Sequence, residues 1–543
     1  MRLASCILFL VASVQAKRVV HNWDITYLNT SRGLNQAPKR GITVNGQFPL
    51  PIVEAEVGDL LVLNVHNSLD VPTSLHAHGI YQKGTNYYDG VGMFTECSIA
   101  PGSNFTYEIP LRQSGTHWIH GHTAEQNFDG LRTPLIIRDP WERFDYDDEY
   151  LFTLEDWSPW TMQQSMDFLL KPNLAGLPLN PPPHGLINGV NGTLTQPIKF
   201  KPGKTYRIRL LPMTSFPNLE FVIDDHDLIL YEIDGVRTKP KTLKTIRVTP
   251  GQRASVLVKA KKTRSKNYSY HVTMNSPGTP VLAGALPFIF NGTVEYAPNA
   301  PLAPTTEIPS EEFDELTVES LRYLPAMTAD RSLFMNASWG FTPNVVLYDT
   351  FDLVEFRAPK VPTMFSALTM GEMAKNPLIY GPQTNAKVFN LNEVVEIVVF
   401  STSIAPHPFH LHGHSFQIIE RGMLHDVNGT SRRTVPSRGF SPLLRDTVFL
   451  GPFQYVVIRF RANNPGVWLF HCHMDWHSPN LRSVFISAPD VMQKTLKVPQ
   501  SVLDQCRIQG IPTSGNVVGR NDYNIDGAPI LPALLASPPK RTV

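Results

Sequence analysis

Short runs in which apolar and polar residues alternate recur along the chain, separated by Pro-Gly, Asn and Asp turns. That period-two pattern predicts strands with one face buried. One design appears three times. Val57-Gly58-Asp59 leads into the alternating run Leu60–Val65, Pro202-Gly203-Lys204 leads into Thr205–Leu210, and Asn392-Glu393 leads into Val394–Val399. A second element follows each of these. Pro101-Gly102 precedes Phe105-Thr106-Tyr107, Pro250-Gly251 precedes Ala254-Ser255-Val256, and Gly451-Pro452 precedes Tyr455–Ile458. Three copies of one two-element order predict an all-β chain of three related sandwich domains. Connectors fall near 140, at Asp139-Pro140, and near 305, in the proline-bearing run Ala297–Thr306. The expected divisions are therefore 17–140, 141–305 and 306–500, with a C-terminal tail at 501–543.

Composition narrows the class. Of 543 residues, 42% are apolar and 17% charged, which excludes a disordered chain. A net charge of +1 with both signs dispersed gives no footprint for nucleic acid or an anionic membrane. Residues 1–16 read as a signal peptide, with Arg2, the apolar run Cys6–Val14 and the small-residue site Val14-Gln15-Ala16. No later apolar run is long enough to span a bilayer, and the tail ends in Pro538-Pro539-Lys540-Arg541, so no membrane anchor is expected. Sequons begin at Asn29, Asn104, Asn191, Asn267, Asn291, Asn336 and Asn428. The expected location is outside the cell or in its wall.

The chemistry lies in the histidines. Ten of the 18 fall in four clusters: His76-Ala77-His78, His120-Gly121-His122, His407-Pro408-Phe409-His410-Leu411-His412, and His471-Cys472-His473 with His477. The middle repeat carries none, so the first and third domains are expected to face each other. In an extended segment residues i and i+2 share a face. Each H-x-H therefore offers two imidazoles to one side. In His471-Cys472-His473 the thiol points the other way, so one segment bridges two different metal sites. Many imidazoles with one thiolate suit copper, and a His2Cys set is the blue-copper arrangement. Zinc accepts the same donors but has no redox chemistry. With Cys6 in the signal peptide and Cys472 on copper, Cys97 and Cys506 remain and are expected to form a disulfide.

These clusters closely resemble the four copper motifs of multicopper oxidases, the family of laccases, ascorbate oxidases and ferroxidases. The likeness runs from about Val19 to Pro489 and includes Ile42–Pro49, Asp129-Gly130-Leu131, Ala358–Thr363 and Asn464–Trp468. It is greatest to the fungal branch with the iron-transport ferroxidases. The resemblance implies three cupredoxin-like Greek-key β-sandwich domains holding four copper ions. His407, Cys472 and His477 would hold the type 1 copper that receives electrons. His76 and His410 would hold the type 2 copper, and His78, His120, His122, His412, His471 and His473 the type 3 pair. Asp89 and Asp475 match the family's acids beside the cluster, where dioxygen reduction consumes protons. His117 and His414 match no ligand position and read as structural.

Departures from the family pattern shape the expected substrate. The ferroxidase acid four residues before H-P-x-H is here Ser403, and no Glu stands in Leu177-Pro178-Leu179-Asn180. A ferric product needs carboxylate oxygens, so the sequence favours a phenolic or other small organic reductant, with pigment or secondary-metabolite formation as the setting. Dioxygen is the acceptor. A soluble ferroxidase or cuprous oxidase is the alternative, and a non-catalytic copper-binding protein the third. The laccase acid near Leu186-Ile187-Asn188 is also missing; His184 either takes the phenolic proton or is a solvent-facing loop residue. Ten residues after Cys472, where the family places an axial Met, Leu or Phe, stands Arg482. Either its cation lies beside the copper, or it turns away to a carboxylate and leaves Leu481. Oligomeric state is not indicated by the sequence.

Overall fold

The computed structural model describes residues 16–32, 38–142, 145–171, 184–191, 197–275, 288–305, 313–342, 347–426, 429–436, 439–529 and 534. The signal-peptide run, Leu177–Asn180 and Pro181–Pro183 lie outside them. Among the described residues no helix is long and apolar enough to cross a membrane.

Strands dominate the described residues, in six sheets. The first two are built from β1 (Arg18–Thr30), β2 (Lys39–Val44), β3 (Val53–Glu56), β4 (Leu60–Asn67), β5 (Leu75–His78), β6 (Asn104–Pro110), β7 (Gly115–Gly121) and β8 (Arg132–Arg138). They run β2-β1-β4-β6 and β3-β8-β7-β5. The threefold repeat read from sequence is a repeat of pairing. β4 lies parallel to β1 and antiparallel to β6. Thr205–Pro212 lies parallel to Asp148–Trp157 and antiparallel to Ala254–Lys259. Val394–Ser401 lies parallel to Arg331–Phe341 and antiparallel to Gln454–Arg461. Alternation sets the inward face of each. On Val394–Ser401, Val395, Ile397 and Val399 are fully buried while Glu396, Val398 and Phe400 are partly exposed. Each such side chain contributes about 1.5–3 kcal/mol of burial, and a one-residue slip in register would turn all of them to water.

The C-terminal segment returns to the first sheets. The helix Gln500–Ile508 buries Val502 and Cys506, and Cys506 is disulfide-bonded to Cys97 with Cα atoms 5.1 Å apart. Gln505 adds two hydrogen bonds, accepting from Ala100 N (3.0 Å) and donating to Asn104 O (3.0 Å). Replacing Cys506 by alanine is expected to cost about 2–4 kcal/mol, measured as a lower urea midpoint than wild type under non-reducing conditions. An unchanged midpoint would mean that helix docking alone holds the tail.

One sequon is structural. Asn267 is 7% exposed; its amide donates to the carbonyls of Ala297 and Ala300, and its carbonyl accepts from Tyr296 N. With its side chain used internally, Asn267 offers no free amide for a glycan in the folded chain.

Candidate metal centre

Strand pairing brings the four histidine clusters together. β5 pairs with β7 so that His76 lies opposite His120. In the third pair of sheets, His407–Leu411 pairs with Gly466–Cys472 so that His410 lies opposite His471 and Phe409 opposite Cys472. The rungs therefore alternate between a histidine side and an apolar side. On the histidine side, His412 Nε2 is 3.2 Å from His471 Nε2, and His473 Nε2 is 3.2 Å from His78 Nδ1. His78 and His410 stack at 3.8 Å, and His76 and His412 at 4.0 Å between ring centroids. On the other side, Cys472 Sγ lies 3.7 Å from Nδ1 of both His407 and His477, among Phe409, Phe470, Met474 and Trp476.

Hydrogen bonds to one ring nitrogen decide what the other can do. His76 Nδ1 donates to the Asp89 carbonyl (2.6 Å), and His410 Nδ1 to the Asp446 carbonyl (2.9 Å). His412 Nδ1 donates to the Asp89 carboxylate (2.9 Å), and His471 Nδ1 to the Cys472 carbonyl (2.8 Å). Each bond leaves Nε2 as a bare lone pair. The Nε2 atoms of His76, His78, His120, His122 and His410 are buried with no hydrogen-bond partner. The lone pairs of His412 and His471 point at each other across 3.2 Å, a repulsive contact unless a cation lies between them. Triads whose donor atoms lie within 4.8 Å of one another occur at His76-His410-His412, His76-His78-His120, His122-His412-His471 and His407-Cys472-His477. The donor set fits metal ions, and its nitrogen and thiolate chemistry fits copper.

Electrostatics agree. Burial, followed by neighbouring imidazoles, holds His120, His122, His412 and His471 well below the usual histidine range, and His473 at about 3. These rings are neutral ligands at ordinary pH. Burial pushes the Cys472 thiol well up, so a bound cation is what makes it a thiolate.

Asp89 is fully buried and touches two of the cluster histidines, His76 and His412. Gly90 follows it with φ +78°, and a Cβ there would stand 1.9 Å from the Leu75 carbonyl, so only glycine lets Asp89 approach. Asp475 lines a small cavity with His120, His122, His471 and His473, and its carboxylate accepts from Asn127 (2.9 Å). His117 packs against Gly235 and bonds the Ser114 carbonyl, and His414 lies between Phe460 and Trp468. His184 begins a strand opposite Trp157 and is half-buried, which corrects the loop reading.

Arg482 turns away from the thiol. Cross-strand register places it opposite His471, on the cluster side, where it pairs with Glu125 (2.8 Å). Leu481 instead accepts the Cys472 N–H through its carbonyl (3.0 Å) and is fully buried in the same apolar cluster as Cys472. Counting ten residues from the cysteine ignores this alternation.

Several residues at the site were not singled out from the sequence. Asp446 lies 3.5 Å from His78 and 3.6 Å from His410, and is gripped by Arg253 through two 2.7 Å hydrogen bonds. Arg253 belongs to the histidine-poor middle repeat, just past the Pro250-Gly251 turn. Asp349, on the strand Leu347–Phe351, lies 3.5 Å from His477 Nε2 and 4.0 Å from His407 Nε2. Ser403 Oγ is 3.2 Å from the same His407 nitrogen.

Three profiles, each described as multicopper oxidase, match residues 25–142, 148–285 and 356–484. The chain is 35% identical to the iron transport multicopper oxidase fetC of Epichloe festucae, over 97% of this chain and 86% of that protein. It is also 35% identical to the iron multicopper oxidase fer1 of Mycosarcoma maydis, over 98% and 91%. Among solved structures, Fet3p, a multicopper oxidase that functions in iron import, superposes with a TM-score of 0.85 at 29% identity, covering 96% of this chain and all of that one. The laccase of Botrytis aclada superposes at 0.74 with 25% identity, covering 94% and 95%. Profiles, relatives and paired ligand geometry agree: this chain belongs to the multicopper oxidase family.

Proposed function

We propose that the chain is a ferroxidase, oxidising four Fe(II) to Fe(III) while one dioxygen and four protons become two waters. His407, Cys472 and His477 would hold a copper that serves as one-electron acceptor, and the other eight histidines would hold the copper that reduces dioxygen. Asp349 carries the substrate assignment. Iron ranks second by sequence because position 403 is serine and Leu177–Asn180 carries no Glu, but an acid at the type 1 edge need not come from either position. Asp349 comes from another strand and lies beside the outward nitrogens of both type 1 imidazoles, whose inward nitrogens face Cys472. A carboxylate is the hard oxygen donor that favours Fe(III) over Fe(II). Both rings and the Cys472 thiolate would hold the accepting copper, and the backbone joins that thiolate to His471 and His473 on the cluster side. Relatives named for iron transport support the same reading. Secretion and action outside the cell remain part of this proposal.

The test compares kcat/KM for Fe(II) and for a dimethoxyphenol, in wild type and Asp349→Asn. Wild type is expected to favour Fe(II), and the variant to lose about tenfold on Fe(II), or ~1.4 kcal/mol of transition-state stabilisation. Its phenol turnover is expected to stay within about twofold. One observation favours phenols: Ser403 contributes no charge beside His407. A wild-type kcat/KM higher for the phenol, with Asp349→Asn unchanged on Fe(II), would replace ferroxidase by phenol oxidase.

A further inference from the structure

The cavity beside the cluster histidines carries a charged pair of its own. Glu125 lines it together with His120, His122, His471, His473 and Asp475, and Ser478 closes one side. The Arg482 guanidinium lies 2.8 Å from the Glu125 carboxylate, with both side chains 11% exposed. The same guanidinium donates to Ser478 Oγ (3.1 Å), which is 3.4 Å from His471 Nδ1. Ala124 and Glu125 are both left-handed, each with φ 50°, directly after the His122 turn. Two consecutive non-glycine residues in that region are costly and persist only where surrounding structure holds them.

We propose that the Glu125–Arg482 pair sets the affinity of the trinuclear site for small monoanions such as azide, fluoride or hydroxide: Arg482 draws an anion towards the cluster histidines, and Glu125 cancels that pull. The inference rests on copper being held by those histidines. Its physical basis is that a unit charge in a water-poor site acts over several ångströms with little screening. Intact, the pair is neutral. Loss of either partner leaves one uncompensated buried charge, and the two losses leave opposite signs. A pair that only braced the loop would respond in the same direction to both.

The experiment titrates copper-loaded wild type, Glu125→Gln, Arg482→Gln, the double variant and Arg482→Lys with azide, following the azide-to-copper charge-transfer band. The blue band and the type 1 potential are recorded in parallel. Arg482→Gln is expected to weaken azide roughly tenfold and Glu125→Gln to tighten it by roughly the same factor. The double variant and Arg482→Lys, both keeping the pair's net charge at zero, are expected within about threefold of wild type. The type 1 signals are expected to stay unchanged, because Arg482 lies on the His471 side of its strand. Single variants that shift azide in the same direction, or not at all, would overturn the proposal. So would copper-loaded wild type that takes up no azide. Should a single variant fail to load copper, the double and Arg482→Lys decide: a tenfold loss in either would overturn the charge role.

Discussion

Cys472→Ser is expected to remove the blue absorption and the type 1 EPR signal and to end steady-state oxidation of Fe(II) and phenols alike. The thiol is the meeting point of two sites. Its sulfur lies 3.7 Å from Nδ1 of both His407 and His477, while its chain neighbours His471 and His473 reach the cluster from the opposite face. A serine oxygen is a hard, short donor that does not replace a soft thiolate on copper, and with it goes the through-bond route between the sites. A fall in turnover of about 10³-fold or more, equivalent to ~4 kcal/mol or more on the barrier, is expected. The histidines of the cluster keep their hydrogen bonds, so copper content should fall by about one ion per chain rather than to zero. Turnover retained by this variant would show that electrons enter the cluster by another path.

Arg253→Met is expected to be the most damaging change outside the ligands. Arg253 is fully buried; beyond its two bonds to Asp446 it donates to the carbonyls of Thr116 and Gly251, so one side chain ties all three repeats together. Burial pushes the Asp446 carboxyl up, but Arg253, followed by His410 and His78, holds it well below the usual carboxylate range. Removing the arginine leaves that carboxylate buried without its counter-charge, at a cost of about 3–5 kcal/mol. The expected result is a lowered thermal midpoint together with loss of cluster copper, with the blue band retained in the fraction that folds. An unchanged midpoint and copper count would mean that the two histidines and the Thr447 hydroxyl are enough for Asp446.

Local pattern made the converging histidine clusters legible and the supporting charges illegible. His76 and His78, or His471, Cys472 and His473, are adjacent in sequence, and the two-residue period of a strand dictates which way each points. Cys97 and Cys506 could be paired by elimination, because four cysteines leave few choices. Asp349, Asp446 and Arg253 had no such handle. Each is an ordinary charged residue whose role comes from strand register with a partner far along the chain: 193 residues separate Arg253 from Asp446. Arg482 was ambiguous for the same reason. Its offset from Cys472 allowed a place beside the type 1 copper or a turn towards a carboxylate, and only the ladder, which pairs it with His471, selects the second, with Glu125 as the partner. Position 403, four residues before H-P-x-H, is serine, and the carboxylate near His407 and His477 is Asp349, on the strand Leu347–Phe351.

The bond between Cys97 and Cys506 spans 409 positions. It makes most of the polypeptide a closed covalent loop, with the middle and third sandwiches wholly inside it. One peptide-bond cut anywhere within that loop leaves a single molecule, whose fragments separate only when the bridge is reduced. A protease that nicks one exposed loop would therefore leave the two faces of the histidine cluster tethered. The same cut before Cys97 or after Cys506 would leave a fragment with no covalent tie, held only by strand pairing and packing.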